Sequence, residues 1–260
     1  MNIIGVSAFY HESACCLLQN GNLVAAAAEE RFTRLKHDPR LPVHAFRYCL
    51  QAAGLTIADV DCIAYYESPH KKLSRQEWSL ARQRVPTPNP RLDAAMPERL
   101  IRERFGYTGK VLTFDHHQSH AASAFFYSGW ERAAVLTVDG VGEWATTTYG
   151  RGDGVALDIF EEVRFPHSLG LLYATLTAYL GFQVNSDEYK VMGLAGYGRP
   201  RYADKIWQMM RDLPGGQYHL EMAYFDFVAG DTMFSPALVD LLGKPPRPAG
   251  EPVVQFHEDV

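Results

Sequence analysis

The stretch NIIGVSAFYHESACCLLQNGNLVAAAA, residues 2–28, decides the fold. Asn2 to Ser7 and Ala14 to Leu18 are short β-prone apolar runs, separated by a polar turn that holds His11 and Glu12. Gln19-Asn20-Gly21-Asn22 is a hairpin signal, because Asn-Gly tolerates the positive φ that such turns need. Leu23 to Ala28 then completes a three-stranded meander. A second meander is expected from residue 133 to 163. It has a strand to Val138, a turn at Asp139-Gly140-Val141-Gly142, a strand from Trp144 to Gly150 and a third from Val155 to Val163.

Around these meanders, strands are expected at Val60–Tyr65 and Lys110–Phe114. Helices are expected at Pro42–Ala53 (stopped by Gly54), Pro97–Phe105, Gln118–Tyr127, Leu169–Leu180 (entered through Ser168) and Tyr202–Leu213. Meanders alternating with helices predict an α/β domain, a mixed sheet flanked by helices. Residues 66–97, polar and carrying Pro86, Pro88 and Pro90, read as a surface excursion. A domain over 1–235 followed by a proline- and glycine-rich tail over 236–260 is the expected organisation.

Bulk properties set the class. The 260 residues suffice for a full core, and 47% hydrophobic with 21% charged residues is ordinary globular composition. A formal charge of −5 argues against nucleic acid as the main partner, since a grip on phosphates shows as a basic surplus. Cys15, Cys16, Cys49 and Cys62 show neither zinc-ligand spacing nor a disulfide framework, so reduced thiols in a cytoplasmic protein are expected. The N-terminus lacks the pattern of a signal peptide, and no apolar stretch has the length of a membrane span.

The chemistry concentrates in Phe114-Asp115-His116-His117-Gln118-Ser119-His120-Ala121. His116 and His120, four apart, share one helical face, a spacing that suits two imidazoles on one metal and equally a structural pair. The segment follows a strand, where the active sites of open α/β sheets gather. Asp139 ends an apolar strand just before a glycine, either as a turn residue bonded to its own backbone or as a carboxylate awaiting a cation. Two histidines and an aspartate together fit a divalent transition metal with open positions.

His11, in its turn, has the intrinsic basicity to take a proton from a hydroxyl near neutral pH, and is otherwise an exposed turn histidine. Lys36 with Arg31 and Arg34 forms a cationic cluster suited to phosphate or carboxylate, or simply a solvated segment end. Gly140 allows close approach of backbone N–H groups to phosphate. Lys190, followed by glycines 193, 196 and 198, resembles a nucleotide-contacting loop without being a P-loop, and an ordinary connection has the same composition.

Five blocks in order resemble one family: Phe-Tyr-His-Glu-Ser-Ala (9–14), Glu-Glu-Arg-Phe-Thr-Arg-Leu-Lys-His (29–37), His-His-Gln-Ser-His-Ala (116–121), Val-Asp-Gly-Val-Gly-Glu (138–143) and Glu-Tyr-Lys-Val-Met-Gly-Leu-Ala (188–195). They look like the O-carbamoyltransferases that decorate antibiotics and nodulation factors. The resemblance implies an N-terminal domain similar to the tRNA threonylcarbamoyl transferase, with the ribonuclease H-like fold of actin, sugar kinases and heat-shock ATPases. It implies carbamoyl adenylate, made from carbamoyl phosphate and ATP, as donor, and a hydroxyl-bearing small molecule or saccharide as acceptor.

By the same resemblance His116, His120 and Asp139 match the metal ligands, with iron implied and zinc equally suited to the ligand types. His11 matches the base, and Lys36, Ser168 and Lys190 fall in blocks that contact the adenylate. Members of the family are longer, so the second half of the duplicated fold, a further metal ligand and a C-terminal adenylate-forming domain are expected outside this chain. They would come from a further C-terminal part or from another chain. The competing readings are a threonylcarbamoyl transferase acting on tRNA and an incomplete nucleotide-binding module without turnover. An actin-like ATPase or sugar kinase fits less well, since such enzymes hold magnesium with carboxylates and water.

Overall fold

The computed structural model describes residues 1–84 and 93–260, so Pro86, Pro88 and Pro90 of the expected excursion lie outside the described residues. The chain divides into two compact units, the first formed by residues 1–76 and 89–120 and the second by 77–88 and 121–260.

In the first unit the strands β1 (Asn2–Ser7), β2 (Ala14–Gln19) and β3 (Asn22–Ala28) form the expected antiparallel meander. Its hairpin turn needs positive φ twice, and Asn20 (φ 53°) and Gly21 (φ 85°) supply it. The short helix α1 (Glu30–Thr33) and then α2 (Val43–Ala52) follow. Next come β4 (Cys62–Tyr65), α3 (Pro69–Leu80), α4 (Met96–Phe105), β5 (Lys110–Thr113) and α5 (His116–Phe125). The sheet order is β3-β2-β1-β4-β5, with β4 and β5 parallel to β1. This is the mixed sheet, carrying helices, that the sequence predicted.

The α2 periodicity is the reason the helix packs as it does: Ala45, Phe46, Cys49 and Leu50 fall on one face and are buried. Phe46 stacks on Phe105 of α4 with ring centroids 3.9 Å apart, and Ile4, Leu17, Ile63 and Ile101 complete a core of residues with no exposed surface. All four cysteines are free thiols, and burial pushes that of Cys15 up, so it remains protonated.

The second unit repeats the meander as β6 (Arg132–Val138), β7 (Ala145–Asp153) and β8 (Ala156–Arg164), a three-stranded antiparallel sheet. It is followed by α6 (Leu169–Tyr179), α7 (Glu188–Ala195) and α8 (Ala203–Trp207). A small hairpin, β9 (Met210–Asp212) with β10 (Tyr218–Leu220), comes next, and then α9 (Pro236–Leu242) and α10 (Gln255–Asp259). The helix expected over Tyr202–Leu213 therefore ends early. Its last part pairs as a strand across the Pro214-Gly215-Gly216 turn, where both glycines have positive φ, and Met209 is drawn into the core.

From residue 236 on, an ordered segment stands where a tail is expected. Leu238, Leu242 and Phe256 are buried in one cluster with Leu172, Tyr179 and Leu180 of the α6 region. Arg247 fastens this segment. Its buried guanidinium donates to the carbonyls of Leu180 (2.6 Å), Glu251 (2.5 Å) and Gly181 (3.3 Å) and lies over the Phe182 ring. No helix among the described residues is long and apolar enough to cross a membrane.

Replacing Arg247 by Met leaves three carbonyls, that of buried Leu180 among them, without their charged donor. It is expected to lower unfolding stability by about 2–4 kcal/mol and to speed proteolysis within 244–254. An unchanged urea midpoint would show that the segment is held by its apolar contacts alone.

Candidate functional site

In the first unit the carboxyl ends of the parallel strands β1, β4 and β5 lie on one edge of the sheet, where open α/β sheets bind ligands. The loop after β1 carries His11, and the residues after β5 lead directly into α5. The segment after β4, Tyr65-Tyr66-Glu67, ties these two together. The Tyr65 hydroxyl, which burial holds well above its usual pKa and therefore protonated, lies 3.1 Å from the Ala8 carbonyl and 3.2 Å from Glu67 Oε1. The Tyr66 hydroxyl also donates to Ala8 O (3.4 Å), while the Tyr66 carbonyl accepts Ser119 Oγ of α5 (2.9 Å). Glu67 is buried and paired with Lys72, whose ammonium sits 2.7 and 2.9 Å from its two oxygens.

His116 and His120 face each other at the start of α5. Their Nε2 atoms are 2.9 Å apart and their rings nearly perpendicular, with the Tyr66 ring edge-on to His116. Two imidazole nitrogens at this distance share one proton or meet at one cation. Metal–nitrogen bonds of about 2.0–2.1 Å separate two such nitrogens by about 2.9–3.4 Å, for a right or a tetrahedral angle. The pair fits a divalent metal without rearrangement. His120 is exposed and His116 half-buried, so the face they form can be reached, whereas His117, its ring 5.8 Å from that of His116, is buried.

His11 is exposed beside the Tyr10 ring (centroids 4.6 Å apart), and Lys72 lies over the opposite partner of that contact, 5.3 Å from the Tyr10 centroid. Phe9, two residues earlier, is held at φ 71° by its N–H bond to Pro39 O (2.7 Å), a conformation that L residues adopt only under constraint. His37 Nδ1 lies 3.1 Å from Glu12 Oε1. Lys36 is exposed and makes no ion pair among the described residues.

In the second unit the turn after β6 and the start of α6 form one structure. Asp139 Oδ1 accepts the Gly140 N–H (2.7 Å). Ser168, fully buried, caps α6 by accepting the Leu171 N–H (3.0 Å), and its hydroxyl proton faces the carbonyls of Gly140 (2.7 Å) and Asp139 (3.0 Å). Gly170 is required by this packing, because a Cβ there would stand 2.5 Å from the Asp139 carbonyl and the Gly140 nitrogen.

The carbamoyltransferase N-terminus family profile matches residues 2–251. The chain belongs to that family. This carbamoyltransferase domain is 43% identical over 276 residues to the uncharacterized protein sll1178 of Synechocystis, covering 100% of the chain and 45% of that protein. It is 36% identical over 260 residues to the nodulation protein NolNO of Sinorhizobium fredii, covering 97% of the chain and 36% of NolNO. The chain thus spans less than half the length of these relatives. Among solved structures, YeaZ from Pseudomonas aeruginosa overlaps 64% of the chain and 67% of its own, at 17% identity and a TM-score of 0.36. The family assignment rests on the sequence matches, not on that overlap.

Two of the residues expected to contact the adenylate have other work in the carbamoyltransferase domain. The Ser168 hydroxyl is consumed by the helix cap and the 139–140 carbonyls. Lys190 sits on helix α7, not on a glycine-rich loop, and its ammonium is held 2.7 Å from Asp187 Oδ1, which raises its pKa. The glycines that suggest a loop are tolerated in this helix: Gly193 is within it and Gly196 caps it. Tyr66, Glu67, Lys72 and Ser119 are positioning residues that the sequence reading assigned to a variable excursion or passed over. The signal available was the aromatic-acidic Tyr65-Tyr66-Glu67 at the end of β4, followed four residues after Glu67 by the Lys71-Lys72 pair.

His167, next to Ser168, stacks on His219 at 4.1 Å and accepts the Leu220 N–H on Nδ1 (3.1 Å). Burial first, and the neighbouring His219 second, push its pKa below the ordinary 6.5. The unfolded chain therefore binds the extra proton more readily. Stability is full above about pH 6.5 and falls as pH drops below it, until His167 is protonated in the folded state as well. His167→Gln keeps an acceptor for Leu220 and removes the charge. Urea midpoints measured from pH 8 to 5 should fall less steeply in the variant than in the wild type. Parallel curves would remove His167 from the acid response.

Proposed function

We propose that this chain carries the transfer half of an O-carbamoyltransferase, with carbamoyl adenylate as donor and the hydroxyl of a small molecule or saccharide as acceptor. The observation that carries the reading is the converging Nε2 pair of His116 and His120, on an accessible face at the carboxyl edge of a ribonuclease H-like sheet. Family membership supports carbamoyl transfer, and the donor and acceptor are this proposal's own.

In this reading His116 and His120 hold a divalent metal, iron or zinc, and Asp139 supplies a third ligand from the turn after β6. When bound, the metal supplies charge stabilisation for the donor's phosphate and carbamoyl oxygens. The chain's own residues do the rest. Ser168 fixes the 139–140 turn by bonding both carbonyls, so that Asp139 and the Gly140 N–H keep their direction. His11 accepts the acceptor hydroxyl's proton as its oxygen forms a bond to the carbamoyl carbon. The bond from that carbon to the phosphate oxygen breaks, and AMP leaves. Tyr10, its ring tilted against His11, and Lys72 over the Tyr10 ring keep the imidazole on the sheet edge. Lys36 pairs with the donor's phosphate. Lys190 stays in its Asp187 pair and orders α7.

Elemental analysis of the purified chain, beside His116→Ala and His120→Ala, tests the metal. Near-stoichiometric iron or zinc is expected, with affinity lowered by roughly 10- to 100-fold or more in each variant. Equal metal content in all three proteins would sink the assignment. His11→Ala is expected to retain the metal while transfer to the acceptor falls roughly 10²- to 10⁴-fold. A loss of metal in that variant would make His11 a ligand and not a base.

A further inference from the structure

We infer that a cavity beside the His11 loop binds an amphipathic organic anion, and that the acceptor therefore carries an apolar portion with an acidic group. The cavity, of about 580 Å³, lies within the first unit, in the size range of small-molecule sites. Its walls are Phe9, Leu41, Val43, Met96 and Leu100. Such a surface holds water poorly and gains most by taking an apolar group.

The polar groups at the cavity are unequal, and their inequality selects the ligand. Glu29 is buried, but its carboxylate is already committed: it accepts the N–H groups of His44 (3.1 Å) and Ala45 (2.9 Å) at the start of α2, and lies 2.6 Å from His44 Nδ1. Arg40 is equally committed, clamping Asp38 through Nε (2.8 Å) and Nη2 (2.6 Å). Arg104, exposed in the last turn of α4, makes no hydrogen bond or ion pair among the described residues. The cavity thus presents apolar walls and one uncompensated cation, which together match a carboxylate or phosphate on an apolar body.

The cavity is also placed for the reaction. Phe9 and Met96 line it, and both line the smaller neighbouring cavity bounded by Tyr65, Glu67 and Lys72, the residues that hold the His11 loop. The constrained φ of Phe9 keeps its ring in this wall, two residues from His11. A ligand bound here meets the chain next to the proposed base. As an anion site the cavity stands on its own geometry. As the acceptor's subsite it rests on the transfer reading.

The probe is octanoate, with octan-1-ol as the uncharged match, titrated into the whole chain carrying ¹³C-methyl methionine. The Met96 methyl signal is assigned with Met96→Leu. Octanoate is expected to shift that signal saturably, and Arg104→Gln to weaken its binding by roughly three- to tenfold. Octan-1-ol should bind wild type and Arg104→Gln alike. Arg104 is exposed, so this variant leaves the core intact. A second variant, Leu100→Trp, fills the cavity and should abolish both responses. An unmoved Met96 signal at high octanoate, or equal octanoate affinity in wild type and Arg104→Gln, overturns the site. Octanoate binding that persists in a chain whose histidine pair takes up no metal would sink the transfer reading and leave the anion site standing.

Discussion

The pair of buried Glu67 with half-buried Lys72 is the contact on which the sheet edge depends. A carboxylate and an ammonium taken out of water are stable only when each finds the other and the remaining lone pairs are filled. Losing one partner of such a pair costs about 3–5 kcal/mol. Here the pair sits at the end of β4, and Glu67 takes a further contact from the Tyr65 hydroxyl. That hydroxyl and its neighbour on Tyr66 both reach the Ala8 carbonyl, which opens the His11 loop. The carbonyl of Tyr66 receives Ser119 from the helix of the histidine pair. Two segments far apart in sequence, one with the proposed base and one with the histidine pair, are therefore referred to the same three residues.

A rigid reference of this kind matters because the histidines alone do not fix their own direction. Spacing of four on a helix brings two imidazoles to one face, but each ring still turns about its side-chain bonds. The Tyr66 ring, edge-on to His116, restricts that rotation from the side, and the Ser119 bond stops the helix from sliding along its axis. The 2.9 Å approach of the two nitrogens is the consequence of helix spacing and these restraints together.

Much of this was legible in the residues, and the rest was hidden for identifiable reasons. The hairpin at Asn20-Gly21, the apolar face of α2 and the histidine spacing are local signals, and they give local structure. Where helix α7 stands, glycines 193, 196 and 198 dominate the composition and suggest a loop, although Asp187 and Glu188 ahead of them are a helix-start signal. The strand inside Tyr202–Leu213 was invisible until its partner, Tyr218–Leu220, was paired with it across the Pro-Gly-Gly turn. Ser168 was singled out for a ligand contact, while its burial and its bonds to the 139–140 carbonyls are properties of packing that no window of sequence contains.

The two meanders make the division of labour between residue types intelligible. Each has its first strand end in a turn that carries a side chain of the proposed site, His11 after β1 and Asp139 after β6. In the first meander the six-residue turn is exposed at Tyr10, His11 and Glu12 and strained at Phe9, which suits the access to a substrate hydroxyl that the proposed base needs. In the second the turn has the same six residues, and the backbone at Asp139 is closely held: its own N–H with the Thr146 carbonyl, its carbonyl with Ser168, and the next N–H with its carboxylate. Such a turn has little freedom left, and Gly170 packs against it with no room for a Cβ. A carboxylate fixed this firmly is poorly suited to shuttle protons and well suited to sit beside a permanent positive charge. The same repeated element thus offers an exposed imidazole from one copy and a closely held carboxylate from the other, a difference between turns of equal length set by whether a helix cap reaches back to close the turn.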